Sequence, residues 1–89
     1  MTEYIALLNK DQQSDYGVWF PDFPGCVTAG KTLEEARRLA AEALAFHIEG
    51  MIEDGEALPS PSTLDTIMRE WVNRNAAAFV VPVPPHPIS

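Results

Sequence analysis

The chain has 89 residues, enough for one domain with a modest core, and 46% of them are hydrophobic, which excludes a disordered chain. Its formal net charge of −7 disfavours direct binding to a nucleic-acid duplex or an anionic membrane. The single cysteine excludes an intrachain disulfide and a thiolate zinc cluster. The start resembles no signal peptide and no apolar run is long enough to span a bilayer, so we expect a soluble, cytoplasmic protein. Two histidines without cysteine neighbours make no recognisable metal site, and we expect no cofactor.

Three short strands are predicted in the first third of the chain. Residues 4–9 carry apolar side chains on both faces, which indicates a strand inside a sheet. A polar hairpin loop follows over residues 10–15, and a second strand over residues 16–20. The proline- and glycine-rich residues 21–25 end that strand, and residues 26–29 form a third one. The three strands should form an antiparallel meander.

A long helix is predicted next. Thr32 and Glu35 have the spacing of a capping box, and Gly55 is suited to end the helix. Its predicted apolar stripe comprises Leu33, Ala36, Ala40, Ala43, Leu44, His47 and Met51. Ser62 and Asp65 predict the start of a shorter helix. The apolar face of that helix would comprise Leu64, Ile67, Met68, Trp71 and Val72.

The last predicted strand covers residues 77–83, and Pro82 places it at a sheet edge. The helical crossover could return it parallel to one of the first three strands. The predicted fold class is α+β, with a three-stranded antiparallel meander, a long helix, a short helix and a fourth edge strand. We assign residues 1–83 to one domain and residues 84–89 to a proline-rich tail.

Three segments resemble the HicB family of antitoxins in sequence and in order. Residues 20–26, FPDFPGC, are similar to its F/L-P-D-F/L-P-G-C segment. Residues 32–36, TLEEA, are similar to its T-x-E-E-A helix start. Residues 58–62, beginning LP and ending PS, are similar to its L/I-P-x-P-S turn.

This resemblance implies a degraded ribonuclease-H-like fold and a partner, the basic toxin HicA, which cleaves messenger RNA. The antitoxin would neutralise the toxin by occluding its RNA-binding surface. The resemblance also implies dimers or larger assemblies. Most members continue into a C-terminal DNA-binding segment that makes them operon autorepressors. That segment is absent before Ser89, so we expect no direct nucleic-acid binding by this chain as given.

Two alternatives to a non-enzymatic antitoxin stay open at this point. A ribonuclease-H-like nuclease needs clustered carboxylates, one of them on the first strand, yet residues 4–9 contain no acid and Glu3 would have to serve alone. We therefore predict no catalytic residue. The other alternative is the dimerisation module of a truncated repressor.

The turn over residues 21–25 offers three candidates for partner contact. Trp19 is a good interface anchor, since tryptophan is enriched at binding hot spots. Asp22 could cap the turn or contact a basic partner. Phe23 follows Asp22 directly and is the third candidate. Cys26 is expected to be a buried, unreactive thiol, and His47 a core or dimer-interface residue rather than a metal ligand.

The second set of partner-binding candidates is acidic and lies around the end of the long helix. It comprises Glu49, Glu53, Asp54 and Glu56. The helix dipole disfavours negative charge at this end, so stability alone would not choose the placement. Either a solvated acidic face or a basic partner explains it.

Self-association is also expected. A single sheet with one helical layer leaves its other face to cover, and Ile5, Leu7 and Trp19 are available there. Leu39 and Phe46 lie off the main helical stripe. These features predict a homodimer or a larger homo-oligomer.

Overall fold

The computed structural model describes residues 2–10, 15–70 and 75–83. Its elements in chain order are β1 (Thr2–Lys10), β2 (Tyr16–Trp19), β3 (Val27–Gly30), α1 (Leu33–Glu53), α2 (Leu64–Met68) and β4 (Ala77–Val83). The predicted tail over residues 84–89 lies outside the described residues. In the described ranges, no helix has both the length and the apolarity that crossing a membrane requires.

The sheet has the strand order β3-β2-β1-β4, and every neighbouring pair is antiparallel. The predicted meander is confirmed by the β1–β2 and β2–β3 pairs. β1 is a central strand, as its apolar residues on both faces indicated. β4 lies at the edge of the sheet, as predicted, and an edge strand tolerates a proline such as Pro82.

The expectation of a parallel β4 is wrong, because the segment after α1 and the start of β4 lie at opposite ends of β1. The segment after α1 stays near the start of β1, where the Tyr4 hydroxyl donates to the Pro59 carbonyl at 2.7 Å. β4 begins at the other end, with Ala77 opposite Leu8. It then runs back and finishes opposite Thr2, antiparallel to β1.

α1 packs on one face of the sheet through small side chains. Ala36 and Ala40 are completely buried and let the helix approach closely. At Gly30 the approach is so close that an added Cβ would lie 2.6 Å from the Ala36 nitrogen. The predicted stripe was wrong at Leu33, which is 46% exposed, and it omitted Ile48, which is buried.

The start of α1 has the predicted cap with one difference. The Thr32 hydroxyl accepts from the Glu35 amide at 3.0 Å. The Glu35 carboxylate reaches back to the Lys31 amide at 2.9 Å, one residue before the cap residue itself. One free N–H group of the first helical turn, that of Glu35, is thereby satisfied, together with the N–H of Lys31 just before the helix.

The end of α1 is a Schellman motif. Gly55 adopts a positive φ of 74°, as predicted for the residue that ends this helix. Its N–H donates to the Ile52 carbonyl at 3.1 Å, and the Glu56 N–H donates to the Met51 carbonyl at 2.9 Å. This tight reversal holds the residues that follow α1 against its last turn.

The sheet face opposite α1, here called the outer face, is partly covered. Leu7 is completely buried although it points away from α1, so the expectation that it lies open is wrong. Trp19 and Ile67 line one groove on this side, which indicates that α2 lies over the Trp19 end. Ile5 is half-buried, and Val80 beside it is 50% exposed.

The short helix α2 buries one side chain fully. Ile67 is buried, whereas Leu64 is half exposed and therefore does not belong to a buried face as predicted. Met68 is intermediate in exposure. The predicted contributions of Trp71 and Val72 lie outside the described residues.

A pair of residues far apart in sequence closes the structure near the turn after β2. Asp22 accepts from Ser62 through both carboxylate oxygens, from the backbone N–H at 2.9 Å and from the hydroxyl at 2.5 Å. We call this pair the clasp. Because Ser62 is engaged there, the N-cap of α2 is Thr63, not Ser62 as predicted. Together with the Tyr4–Pro59 hydrogen bond, the clasp fixes the segment between the helices.

Candidate functional site

An open groove of about 530 Å³ lies between the last half of α1 and the start of β3. We call it the acidic groove. It is lined by Gly25, Cys26, Val27, Ala43, Phe46, His47, Glu49, Gly50, Met51, Glu53, Asp54 and Glu56. The sequence placed these residues in two separate regions, and the packing of α1 on β3 brings them together.

The rim of the groove carries four carboxylates, Glu49, Glu53, Asp54 and Glu56, and its lining contains no lysine or arginine. All four side chains are exposed. Among the described residues none of them forms an ion pair. The end of the helix dipole adds negative potential at the same place. The groove is therefore suited to attract cationic groups.

Two apolar side chains of the groove lining are highly exposed to solvent. The Phe46 ring is 79% exposed and Val27 is 65% exposed. Exposed apolar patches rimmed by polar residues often mark protein-binding sites, and aromatic residues are enriched in them. The sequence noted Phe46 only as lying off the main stripe, and it gave no signal for Val27.

Gly50 is a second residue of this site, besides Val27, that the sequence did not indicate. It lies inside α1, where glycine costs about 0.5–1 kcal/mol relative to alanine. A Cβ at this position would meet nothing within 4 Å, so packing within the chain does not require glycine. Its absence of a side chain keeps the groove open between Phe46 and Glu53, which share this side of the helix.

Aromatic contacts connect the groove to the core. The Phe23 ring is edge-on to Tyr4, with centroids 4.7 Å apart, and edge-on to His47 at 5.7 Å. Phe23 is only 2% exposed. Its side chain therefore serves the core and presents no surface to a partner, which corrects its selection as a contact residue. His47 is half-buried between this ring and the groove.

Cys26 is buried in the hydrophobic core, as expected from the sequence. Burial raises the pKa of its thiol above the usual 9.0. The group is therefore a neutral, weakly nucleophilic thiol at neutral pH.

The two remaining candidates lie elsewhere. Trp19 and Asp22 line a second groove of about 380 Å³ beside α2, together with Ile67. The structure therefore brings the four acidic candidates together but separates them from Trp19. Asp22 is already occupied by Ser62.

The described residues offer no place for a bound metal ion. Across residues 2–10, 15–70 and 75–83, no group of three or more His, Cys, Asp or Glu side chains could hold one.

Residues 4–89 match the family model described as the HicB-like antitoxin of bacterial toxin–antitoxin systems. The chain belongs to this HicB-like antitoxin family. A curated relative is an uncharacterised 14.9 kDa protein of Haemophilus phage HP1, 44% identical over 68 residues. That match covers 76% of this chain and 51% of the phage protein, so the HicB-like chain spans about half the length of that relative.

Two solved structures are similar throughout. One is the N-terminal domain of Burkholderia pseudomallei antitoxin HicB, with a TM-score of 0.83, 32% identity and coverage of 92% of this chain and 98% of that domain. The other is a chain of a HicA3–HicB3 toxin–antitoxin complex, with a TM-score of 0.77, 28% identity and coverage of 94% of this HicB-like chain and all of its counterpart.

Proposed function

We propose that this chain is the toxin-binding domain of an antitoxin. It neutralises a HicA-type toxin that cleaves messenger RNA by covering the toxin's RNA-binding surface. The solved HicA3–HicB3 complex supports the class of partner, since one of its chains resembles this one. Binding of this kind takes place where messenger RNA is translated, in the cytoplasm.

The observation that carries the proposal is the acidic groove. A surface that binds RNA is basic, because it must neutralise backbone phosphates. The carboxylates of the groove rim offer the same cations an alternative anionic partner. The exposed ring of Phe46 adds an apolar contact that RNA backbone does not supply.

The two features have different kinetic roles. Rim charges act mainly on the encounter, so the carboxylates should raise the rate of association in a salt-dependent way. A buried aromatic contact acts mainly on the lifetime of the complex. The mechanism is competitive occlusion without chemistry, and membership in an antitoxin family favours this non-enzymatic role.

Self-association and operon autorepression are also proposals for this family member. Self-association would use the open part of the outer face, around Ile5 and Val80. Autorepression of an operon belongs to the whole protein, and the net charge of −7 argues against DNA binding by this chain itself. The ribonuclease-H-like description of the fold stays a prediction from the family resemblance. A nuclease is not proposed, because the described ranges bring no metal-binding cluster together.

Toxin neutralisation tests the proposal directly. The purified chain is titrated into an RNA-cleavage assay of its cognate HicA-type toxin. Cleavage should stop near a fixed stoichiometric ratio, and excess RNA should restore it by competition. If RNA is still cleaved at a large excess of this chain, the proposed function is wrong.

Phe46→Ala tests the site. Removing an exposed ring leaves the free energy of unfolding nearly unchanged, within about 0.5 kcal/mol. Loss of a binding hot spot costs about 2 kcal/mol of affinity, roughly 30-fold in Kd. The matched control is Leu64→Ala, which removes another exposed apolar side chain, one that lies outside the groove. Equal effects of the two variants would place the contact elsewhere.

A further inference from the structure

The two edges of the sheet differ in how they are protected. On β4, Pro82 lacks an N–H and is exposed. β3 consists of Val27–Gly30 and contains no proline and no charged residue. Natural sheets usually blunt an edge with one of these, since an unprotected edge pairs with other strands. Both Val27 and Ala29 are exposed, so the β3 edge is open.

The hydrogen-bond register shows which groups this edge offers. The Phe20 N–H donates to the Cys26 carbonyl at 3.3 Å, so this facing pair is hydrogen-bonded. Bonded and non-bonded pairs alternate along an antiparallel ladder, so Thr28 also bonds to β2, whereas Val27 and Ala29 do not. The N–H and C=O groups of these two residues point away from the sheet.

No other group in the described part of the chain satisfies them. No backbone or side-chain hydrogen bond joins the outward groups of Val27 and Ala29 to another element. The two outward residues, which lie on either side of Thr28, offer two donors and two acceptors, the repeat unit that an added antiparallel or parallel strand requires.

The charges beside this edge select the kind of strand. Val27 lines the acidic groove, so a strand paired with β3 would run next to Glu49 and Glu53. A second copy of this chain would bring its own acidic rim to the same place, and the two rims would repel. A basic segment is attracted there instead.

We propose that the free edge of β3 binds an extended, basic segment of the toxin by strand addition. This inference rests on the proposed function and adds the mode of binding to it. The main chain of the toxin segment bonds to Val27 and Ala29. Its side chains alternate in direction, so one set faces the exposed Phe46 ring in the groove and basic residues reach the rim.

Amide hydrogen exchange, followed by NMR on the unaltered chain, tests the mode. In the free protein the amides of Val27 and Ala29 should exchange fast and that of Thr28 slowly. Adding the cognate HicA-type toxin should slow exchange at Val27 and Ala29 by at least about tenfold, the effect of one hydrogen bond. The Thr28 amide should change much less, because it is already bonded in the free protein.

Each other outcome has a distinct meaning. Toxin binding without protection at Val27 and Ala29 overturns strand addition and leaves the proposed function standing. No toxin binding at all overturns both. Protection that appears in the free chain as its concentration rises shows that a second copy occupies the edge, which also contradicts the proposal.

A substitution provides the second test. Ala29→Pro removes one outward N–H and should leave the β2–β3 ladder intact. The other edge strand of this sheet, β4, already contains a proline, Pro82. Binding of the toxin should weaken by about tenfold or more. Ala29→Ser keeps the N–H and should bind as the parent does. Equal binding by the proline and serine variants, with both folded by circular dichroism, contradicts strand addition.

Discussion

The clasp and the rim of the acidic groove both contain carboxylates that the sequence indicated as candidate partner contacts, yet these carboxylates differ in their surroundings. Both carboxylate oxygens of Asp22 accept hydrogen bonds from Ser62, from its N–H at 2.9 Å and from its hydroxyl at 2.5 Å. The four rim carboxylates have no ion-pair partner among the described residues. A carboxylate with an internal partner is explained by the fold. A carboxylate that has none, and that also opposes a helix dipole, has no such explanation within the described residues, so either solvation or a basic partner accounts for it.

This difference predicts opposite responses to substitution. Changes at the clasp should affect stability and leave the groove's chemistry alone. Changes at the rim should affect association and leave stability alone.

The largest effect is expected from reversing the rim charges. Replacing Glu49, Glu53, Asp54 and Glu56 by lysine should slow association with the toxin by about 100-fold at low salt and flatten its salt dependence. The fold should survive or gain slightly, because lysine near a helix C-terminus suits the dipole. Stopped-flow binding across salt concentrations measures the rate.

The control for that variant reverses two acids outside the groove. Asp65→Lys with Glu70→Lys alters exposed carboxylates near α2. Its association rate should fall only by the modest amount that a change in net charge produces. If both variants slow association equally, or neither does, the rim is only a solvated acidic face.

The next effect is on stability. Asp22→Ala leaves the N–H and hydroxyl of Ser62 without a partner in a partly buried position. A hydrogen bond to a charged group contributes about 1.5–3 kcal/mol, and because both bonds here are only partly buried we expect a combined loss at the low end of their sum, about 2–3 kcal/mol. Urea denaturation measures it. Glu53→Ala is the comparison at the rim and should change stability by less than about 0.5 kcal/mol. Similar losses of stability in the two variants would show that the clasp and the rim carboxylates do not differ in their structural role.

Tyr4→Phe probes the second bond that holds the segment between the helices. Loss of the 2.7 Å hydrogen bond to the Pro59 carbonyl should cost about 1 kcal/mol at neutral pH. Burial, and to a lesser extent the charge of Asp22, raises the pKa of the Tyr4 phenol above its usual 10.0. The unfolded chain thus loses this proton at lower pH than the folded one.

The pH dependence follows from that order. The stability that Tyr4 contributes is fully present below pH 10 and falls as pH rises toward the folded-state pKa. The free energy of unfolding should therefore drop less steeply above pH 10 in the phenylalanine variant than in the parent. Parallel slopes for the two proteins would show that Tyr4 does not titrate with folding.

The sequence predicted most of the fold because its signals there are local. The cap at Thr32, the glycine at Gly55 and the proline at Pro82 each act within a few residues of themselves. The direction of β4 could not be predicted, since it depends on the Tyr4–Pro59 contact, 55 residues apart in the chain.

The candidate site was predictable only in part for the same reason. The acidic cluster is visible in the sequence because a helix terminus and its charges are local features. The exposure of Phe46 and Val27 depends on how α1 lies across β3, and the fate of Asp22 depends on a residue 40 positions away. Pairing over such separations has no pattern in a single sequence.

The smallest effect is expected at Gly50, where stability and binding should move in opposite directions. Glycine within a helix costs about 0.5–1 kcal/mol relative to alanine, and a Cβ here meets nothing within 4 Å in the chain. Gly50→Ala should therefore raise the free energy of unfolding by about that amount. Its methyl group would stand on the wall of the acidic groove, beside Phe46 and Glu53.

A toxin segment that fills the groove must then make room for that methyl group. Overpacking of this size costs about 1–3 kcal/mol in a well-packed contact, so dissociation should become faster while the association rate stays the same. Ala45→Gly is the matched control, since it makes the reverse helix change at an exposed position outside the groove. Urea denaturation and surface plasmon resonance measure the two effects. A Gly50→Ala variant that is more stable and binds the toxin as tightly as the parent would show that nothing occupies this part of the groove.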